Sequence, residues 1–133
     1  MIILTSIIVL LLAALAIWTK LKSREIEALY PPMGEMIDVG GYKLHAVHVP
    51  RPEGADLPPL VFIHGASGNL LDQETPFRPK LEDRAEMLFI DRPGHGWSER
   101  GGEANDTPDG QAEAVARAMQ AKGISKAIII GHS

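Results

Sequence analysis

Three short apolar runs determine what most of this chain can fold into. They are LVFI (Leu60 to Ile63), MLFI (Met87 to Ile90) and AIIIG (Ala127 to Gly131). Unbroken runs of this length, rich in β-branched and aromatic residues, are typical of strands buried on both faces. Segments of helical character separate the runs. The alternation predicts right-handed crossovers and a parallel sheet with helices on both faces.

The two helices between these strands differ in the strength of their signals. The first is weak, and the pattern places it around Phe77 to Arg84. The second begins with Thr107 as its cap and Pro108 at the first helical position, and Gly123 ends it. Its predicted apolar stripe consists of Ala112, Val115, Ala116 and Met119.

A hairpin precedes the first buried strand. MIDV and YKLHAVHV flank Gly40-Gly41, a pair that permits positive φ at both central positions of a two-residue turn. The predicted fold class is therefore α/β, with a mostly parallel sheet, an antiparallel N-terminal hairpin and helices on both faces. We assign residues 35–133 to this domain.

The first 19 residues form a separate element. Ile2 to Trp18 carries no charge, and its 17 residues would make a helix of about 25 Å, close to the roughly 30 Å hydrocarbon layer of a membrane. Three cations follow, as expected where a helix leaves the membrane. They are Lys20, Lys22 and Arg24. The sequence predicts a single transmembrane anchor over residues 1–19.

A linker over residues 20–34 follows the anchor and contains the helix-breaking pair Pro31-Pro32. The cations on the C-terminal side of the apolar segment favour a cytoplasmic position for the rest of the chain. A cleaved signal peptide is the alternative, because Ala14-Leu15-Ala16 is similar to a cleavage site. The positively charged start of such peptides is missing, which favours the anchor.

Charge and cysteine content exclude several kinds of partner and site. With the three cations beside the apolar segment set aside, 10 of the 13 basic residues remain against 17 acidic ones, a balance of −7. Nucleic acid binding requires a basic face, so we expect a small-molecule substrate and no nucleic acid partner. The sequence contains no cysteine, which excludes disulfides, a thiolate nucleophile and cysteine-ligated metals.

A glycine-bearing loop follows each buried strand, and the loop sequences are HGASG, DRPGHGWSERG and GHS. Ligands of open parallel sheets bind just beyond the C-terminal ends of the strands, where these loops should lie. In this order the motifs resemble the N-terminal half of the α/β-hydrolase fold, in the branch of esterases, lipases, proline iminopeptidases and epoxide-hydrolase-like proteins. The resemblance covers about residues 35–133 and implies a serine hydrolase.

The resemblance identifies Ser133 as the catalytic nucleophile. Gly131, His132 and Ser133 match the first three positions of the G-x-S-x-G motif, in which the serine stands on a tight turn between strand and helix. Dehalogenases and epoxide hydrolases have aspartate at this position. The serine therefore indicates cleavage of ester, amide or related acyl bonds through an acyl-enzyme. An ordinary turn is the alternative interpretation.

The HGASG loop has the oxyanion-binding role in this resemblance. His64 and Gly65 begin the loop, and the backbone N–H of Ala66 is the expected oxyanion donor. Gly65 and Gly68 allow the backbone to approach a substrate. We expect His64 to bond within the loop rather than to carry protons. A phosphate-binding loop is excluded, because no Lys-Ser/Thr pair accompanies the glycines.

The DRPGHGWSERG loop is similar to the family's D-x-P-G-x-G-x-S segment. Gly94 and Gly96 would shape a tight return near the active site, and Asp91 and Arg92 would fix the loop by hydrogen bonds and ion pairing. Trp97 is a candidate for the substrate entrance, with ordinary packing as the alternative. We assign this loop to the scaffold rather than to the chemistry.

Two other patterns have simpler explanations than a functional site. His45 and His48 are three residues apart on a predicted strand, so they point to opposite faces and we expect no metal site there. Asn105 begins a glycosylation sequon, but capping of the following helix accounts for the same residues. We expect neither a metal nor a cofactor.

The remaining members of a catalytic triad are implied by the family order of serine, acid and histidine. On this order both partners of Ser133 lie beyond the sequence, so we expect the 133-residue chain to be an inactive N-terminal fragment of a membrane-anchored hydrolase. The alternative is a binding or structural member of the same fold that has no working triad.

Overall fold

The computed structural model describes residues 2–132 and divides the chain into two units, Met1–Pro31 and Pro32–Ser133. The first unit is a single helix, α1 (Ile2–Leu29). Its stretch Ile3–Leu29 is long and apolar enough to cross a membrane, and none of its apolar window is buried. A signal sequence near an N-terminus has the same length and composition, so these two properties alone do not separate the two kinds of segment.

Helix α1 extends beyond the predicted membrane segment. Residues 20–29, which the sequence predicts to be part of a linker, continue the helix to Leu29. Lys22 accounts for part of this extension, because its Nζ lies 5.6 Å from the centroid of the Trp18 ring and 2.7 Å from Glu25 Oε2. Contacts between residues three and four apart stabilise a helix. The boundaries of the anchor and the linker stay predictions.

A five-stranded sheet forms the centre of the second unit, with the strand order β1-β2-β4-β3-β5. Strands β1 and β2 and strands β2 and β4 pair antiparallel, whereas β4–β3 and β3–β5 are parallel. This arrangement confirms the predicted fold class. The strands are β1 (Glu35–Asp38), β2 (Lys43–Val49), β3 (Leu60–Ile63), β4 (Met87–Ile90) and β5 (Ile128–Gly131).

The turn between β1 and β2 is the predicted two-glycine turn. Gly40 has φ of 104° and Gly41 has φ of 94°, which is the left-handed region that other residues avoid. The carboxylate of Asp38 accepts hydrogen bonds from both glycine amides, at 2.8 and 3.2 Å. These bonds hold the pKa of Asp38 below its usual range. The turn sets the register of the antiparallel pair.

Helix α2 spans Leu71–Leu81. The sequence predicts this helix around Phe77 to Arg84, so its predicted bounds were wrong. Two prolines inside the helix, Pro76 and Pro79, conceal it in the sequence because each removes one backbone donor. Two interactions compensate. Arg78 forms ion pairs with Glu74 and Glu82 one turn away on either side, and Phe77 packs against a ring of the sheet.

Helix α3 (Pro108–Ala121) begins as predicted, because the Thr107 side chain accepts a hydrogen bond from the N–H of Gly110. The predicted apolar stripe is confirmed at Val115, which is buried, and at Met119, which is partly buried against the same core, and it is wrong at its two alanines. Ala112 and Ala116 are exposed. The buried residues are Ala114, Val115 and Ala118. A short 3₁₀ helix, Glu103–Asp106, precedes α3 and was not predicted.

The two faces of the sheet carry separate hydrophobic cores, one under each helix. On one face, Val61, Leu88 and Ile90 pack with Ala114, Val115 and Ala118 of α3. On the other face, strand residues pack with Leu70, which directly precedes α2. They are Leu60, Phe62, Met87 and Phe89. Alternate residues of the same strands serve the two cores, as expected of buried parallel strands. This sandwich fixes the ends of the central strands.

Candidate active site

Three parallel strands bring three loops to one edge of the sheet. Ile63 pairs with Ile90 on one side and with Gly131 on the other, so β3, β4 and β5 end at the same level. The backbone N–H of His132 donates to the carbonyl oxygen of Ile63 at 3.0 Å. The loops that follow these strands therefore start side by side, which is the arrangement expected from the order of the motifs.

The predicted nucleophile, Ser133, lies outside the described residues. Its two predecessors in the motif are described. Gly131 ends β5, and His132 is exposed at the edge of the sheet. The chain therefore reaches this edge beside the loop after β3, and the role of Ser133 stays a prediction.

The loop after β3 presents its backbone to solvent. Ala66 is exposed, and its N–H donates no hydrogen bond to any of residues 2–132. The loop is held around Gly65, whose carbonyl oxygen accepts from the N–H of Gly68 at 3.3 Å. An amide without a partner among residues 2–132, on an exposed residue at the C-terminal edge of the sheet, can donate to a ligand.

His64 joins this loop to the loop after β4. Its Nε2 accepts a hydrogen bond from the backbone N–H of Arg92 at 3.0 Å, which requires the ring proton to lie on Nδ1. That Nδ1 donates to the carbonyl oxygen of Gly65 at 2.7 Å. Burial lowers the pKa of His64, so the ring is neutral and both of its nitrogens are occupied. A histidine held in this way is a structural link and is not available as a base.

His95 makes a second link between the same two loops. Its Nε2 lies 3.2 Å from the carbonyl oxygen of Ala66, and its Nδ1 lies 3.1 Å from that of Pro93. The rings of His95 and His64 meet edge to face, with centroids 5.3 Å apart. The carbonyl of Ala66 is thus fixed from one side while its N–H stays exposed.

Asp91 is the buried centre of the loop after β4. Its Oδ2 lies 2.7 Å from His45 Nδ1 and accepts from the N–H of Trp97 at 3.1 Å. Its Oδ1 accepts from the N–H of Leu70 at 2.8 Å. One carboxylate therefore ties together β2, the start of α2 and the glycine-rich turn. The sequence predicts that Asp91 fixes the loop, and the structure identifies His45 as its ionic partner.

The His45–Asp91 pair is ionised. Both ring nitrogens of His45 face oxygen acceptors, because Nε2 contacts the carbonyl oxygen of Met33, and only a protonated imidazole can donate at both positions. Burial lowers the pKa of His45, but the hydrogen bonds to Asp91 and Met33 outweigh it and raise the pKa overall. For Asp91, burial raises the pKa, and the bonds from His45 and two amides outweigh it and lower the pKa overall.

The glycine-rich turn wraps closely around this carboxylate. Gly96 has φ of 51°, and a Cβ atom on it would collide with the Asp91 carboxylate, so only glycine fits. Gly94 donates from its N–H to the carbonyl oxygen of Glu99 at 3.2 Å and closes the turn. Trp97 is half-buried, and its role at a substrate entrance stays a prediction.

Ser98 connects the loop after β4 with strand β2, a role that the sequence alone does not reveal. Its hydroxyl donates to the carbonyl oxygen of Asp91 at 2.6 Å and accepts from the N–H of His45 at 2.8 Å. Both hydrogen-bonding functions of this serine are therefore occupied within the scaffold. The serine of the GWS sequence is thus a structural residue, consistent with its place in the D-x-P-G-x-G-x-S segment.

The other histidines and the sequon have structural partners. His48 contacts Glu86 at 2.8 Å, whereas His45 contacts Asp91, so the two histidines of β2 serve different carboxylates. Among residues 2–132 no group of three metal-ligating side chains occurs. Asn105 is buried, with its side chain bonded to Tyr42 and Arg100. A buried asparagine is not a glycosylation acceptor.

A pocket of about 360 Å³ opens beside the loops, on the face covered by α3. Its walls include Ile63 and Arg92 at the strand ends and Gln111 and Val115 of α3. The Arg92 guanidinium donates to Gln111 Oε1 at 3.1 Å. Ala66 and His132 do not line this pocket, so it is a space next to the candidate site and not the site itself.

Sequence reasoning missed two features of this region. The first is the ion pair of His45, which was interpreted as an ordinary strand residue. A signal was present, because an aspartate directly after a fully buried strand needs a cation or amide donors. The second is Gln73 in α2, whose buried side chain reaches β5. Nothing in the sequence around two prolines indicates that contact.

Comparison with known proteins agrees with this geometry. A family model described as alpha/beta hydrolase fold matches residues 58–133, which include β3, β4, β5 and the three loops. No curated protein sequence matches the chain significantly.

Three of the solved structures with a similar fold are named as hydrolases. A mutant of a meta-cleavage product hydrolase aligns with a TM-score of 0.64 at 25% identity, over 78% of this chain and 37% of that one. The 2-hydroxy-6-oxo-6-phenylhexa-2,4-dienoate hydrolase from Rhodococcus sp. strain RHA1 aligns at 0.61 and 25%, over 74% and 38%. An E-2-(acetamidomethylene)succinate hydrolase aligns at 0.60 and 26%, over 76% and 35%. The chain therefore spans little more than a third of each.

Proposed function

Because the chain belongs to the alpha/beta hydrolase fold family, we propose that it supplies the nucleophile and an oxyanion donor of a serine-dependent hydrolase. The bonds cleaved would be ester, amide or related acyl bonds in a small-molecule substrate. The solved structures that it resembles are hydrolases. Since the chain spans 37% of the first of them, the activity of the whole protein is part of the proposal.

One observation carries the proposal. Ile63 pairs with Gly131, and the N–H of His132 bonds to the carbonyl of Ile63, so β5 ends beside the start of the HGASG loop. A serine one residue after His132 would emerge next to that loop. This is where the G-x-S-x-G motif requires its nucleophile to stand.

The oxyanion donor would be the backbone N–H of Ala66. This amide is exposed and unbonded to the described residues, while His95 and Gly65 hold the loop around it. A fixed donor of this kind stabilises the negative oxygen of a tetrahedral intermediate because no reorganisation is needed during the reaction. One such donor lowers the barrier by about 3–4 kcal/mol.

The chemical sequence would be that of an acyl-enzyme. The hydroxyl of Ser133 attacks the acyl carbon, the leaving group departs with a proton, and water then hydrolyses the acyl-serine. His45, His64 and His95 each bridge structural partners, so the base that accepts the serine proton would come from another part of the protein. The family order of serine, acid and histidine agrees with this requirement.

Covalent labelling tests this proposal. In the product of the full-length gene, a fluorophosphonate probe should label Ser133, and the Ser133→Ala variant should lose the label entirely. Ser125→Ala is the matched control, because Ser125 is exposed just before β5 and should not affect labelling. A folded protein that takes up no label would support the alternative, a binding or structural member of the family.

The N-terminal helix would anchor the hydrolase in a membrane. Ile3–Leu29 has the length and apolar composition of a span, and Trp18 and three cations follow the uncharged stretch. Alkaline carbonate should leave the protein in the membrane pellet, and deletion of residues 2–19 should release it. A mature N-terminus after Ala16 would show that the segment is a cleaved signal peptide instead.

A further inference from the structure

Gln73 is a buried amide that connects the helix after the HGASG loop with the strand that leads to the predicted nucleophile. Only 5% of its surface is exposed. Its Nε2 donates to the carbonyl oxygen of Ile130 at 3.3 Å, across 57 residues of sequence. Its Oε1 is buried and has no hydrogen-bond partner among residues 2–132. Ile130 lies directly before Gly131 and three positions before Ser133.

This environment makes glutamine an unfavourable choice for packing alone. An amide oxygen that leaves water without a partner loses its hydration and gains nothing in return. Two apolar residues near Gln73 belong to one hydrophobic core: Leu70, one turn before it, and Ile130, whose carbonyl it contacts. Methionine has nearly the same length and would fill the space without the unpaired oxygen. The amide must therefore contribute something that an apolar side chain does not.

What the amide contributes is a directional link between helix α2 and strand β5. Helix α2 starts five residues after Ala66, and β5 ends two residues before Ser133. A hydrogen bond from Gln73 to Ile130 fixes the height of β5 relative to α2. The bond would thereby limit movement of the end of β5, which leads to the proposed nucleophile, relative to the helix that follows the proposed oxyanion loop.

We propose that Gln73 is a positioning residue that holds the nucleophile strand in register with the oxyanion loop. The inference rests on the proposed function for its catalytic consequence. Its structural part, the link from α2 to the end of β5, does not depend on that function. The two parts can therefore be tested separately.

The catalytic part predicts a specific kinetic change in the full-length gene product. In Gln73→Met, the maximal rate of inactivation by a fluorophosphonate should fall roughly ten- to hundredfold, because a small displacement of reacting groups has effects of this size. The concentration for half-maximal inactivation should change less than twofold. The midpoint of thermal unfolding should stay the same or rise. Gln120→Met is the matched control, since Gln120 is exposed on α3.

An unchanged inactivation rate in Gln73→Met would refute the positioning role. So would a loss of rate that merely follows a loss of folded protein, because that result would make Gln73 a packing residue. Gln73→Asn retains the amide on a shorter side chain. It should give an intermediate rate if distance to Ile130 is what matters, and a rate equal to that of Gln73→Met would contradict this reasoning.

Hydrogen exchange tests the structural part without any activity. The amides of Ile128 and His132 both bond to the β3 side of the sheet, to Pro59 and Ile63. In Gln73→Met, exchange at His132 should accelerate at least about fivefold, while Ile128 stays within twofold. Equal exchange at His132 in both proteins overturns the inference. If the fluorophosphonate does not label the parent protein but exchange at the His132 amide still accelerates in Gln73→Met, the proposed function fails. The link from Gln73 to Ile130 then stands.

Discussion

The buried carboxylate of Asp91 offers a stringent test of how this fold is held together. Substitution of Asp91 by asparagine keeps the shape of the side chain and removes its charge. In the parent, the carboxylate accepts from the His45 ring and from the amides of Leu70 and Trp97. Asparagine can accept at one oxygen only, and its NH₂ group would face donors at the other position. At least one buried donor then loses its acceptor.

The expected magnitude follows from burial. The side chains of Asp91 and His45 are 2% and 4% exposed, so solvent does not screen their interaction. Removal of one partner from a buried ion pair destabilises a protein by about 3–5 kcal/mol, because the other charge is left without compensation. The exposed pair of Arg84 and Asp56 has nearly the same length, 2.7 Å, but both side chains are about half exposed. Such pairs contribute little.

Urea unfolding of the full-length gene product measures this difference. Asp91→Asn should lower the free energy of unfolding by about 3–5 kcal/mol, and the matched variant Asp56→Asn should leave it nearly unchanged. The slope against urea should be the same in all three proteins, since the surface exposed on unfolding does not change. Equal stabilities of the two variants would refute the idea that this ion pair organises the loops.

The same pair gives a signed dependence of stability on pH. The pKa of His45 is raised, so its contribution is complete below about 6.5 and is lost as the pH rises through the raised value. The pKa of Asp91 is lowered, so its contribution is present above about 3.9 and is lost as the pH falls through the lowered value. Subtracting the Asp91→Asn profile from the parent profile should therefore leave a difference that is largest between about pH 4 and 6.5.

Three further predictions concern single positions. Gly96→Ala should destabilise the protein by at least about 2 kcal/mol in urea unfolding, because Gly96 has a positive φ and an added Cβ atom would collide with Asp91. The control Gly102→Ala should not, because a Cβ atom added there has no neighbour within 4 Å. Thr107→Ala should cost about 1 kcal/mol through loss of the α3 cap, whereas Thr75→Ala, exposed within α2, should be near neutral. The parent should lose stability below about pH 6.5 through His64, whose pKa is lowered by burial, and His64→Gln should reduce that loss.

Local signals were sufficient for most of the fold. Strands β3 and β4 have the predicted bounds, and β5 begins one residue later than predicted. The turn at Gly40-Gly41 and the cap at Thr107 were also predicted, because each depends on the conformation of a few consecutive residues. The family resemblance assigned a role to each of the three loops. This was possible because the spacing of the glycines marks the positions where the backbone must turn.

Contacts between distant segments were not accessible in this way. Helix α2 depends mainly on packing against the sheet, to which the partly exposed ion pairs of Arg78 add a smaller contribution, and these contacts override the two prolines that local rules treat as breakers. Two positions of the predicted α3 stripe, Ala112 and Ala116, were wrong because alanine is compatible with either face of a helix. Only the position of the sheet decides which alanines are buried.

The buried polar contacts around the candidate site have a physical reason. A fixed oxyanion donor requires a rigid loop, yet the HGASG loop consists largely of glycine and small residues, which cannot pack tightly by themselves. Rigidity must come from polar contacts in the interior, and the structure provides them through Asp91, His45 and His64. All three side chains are buried, whereas Ala66 is exposed. His45 and His64 are committed to the Asp91 carboxylate and to backbone carbonyls and amides, so the proposed catalysis would need a different histidine as its base.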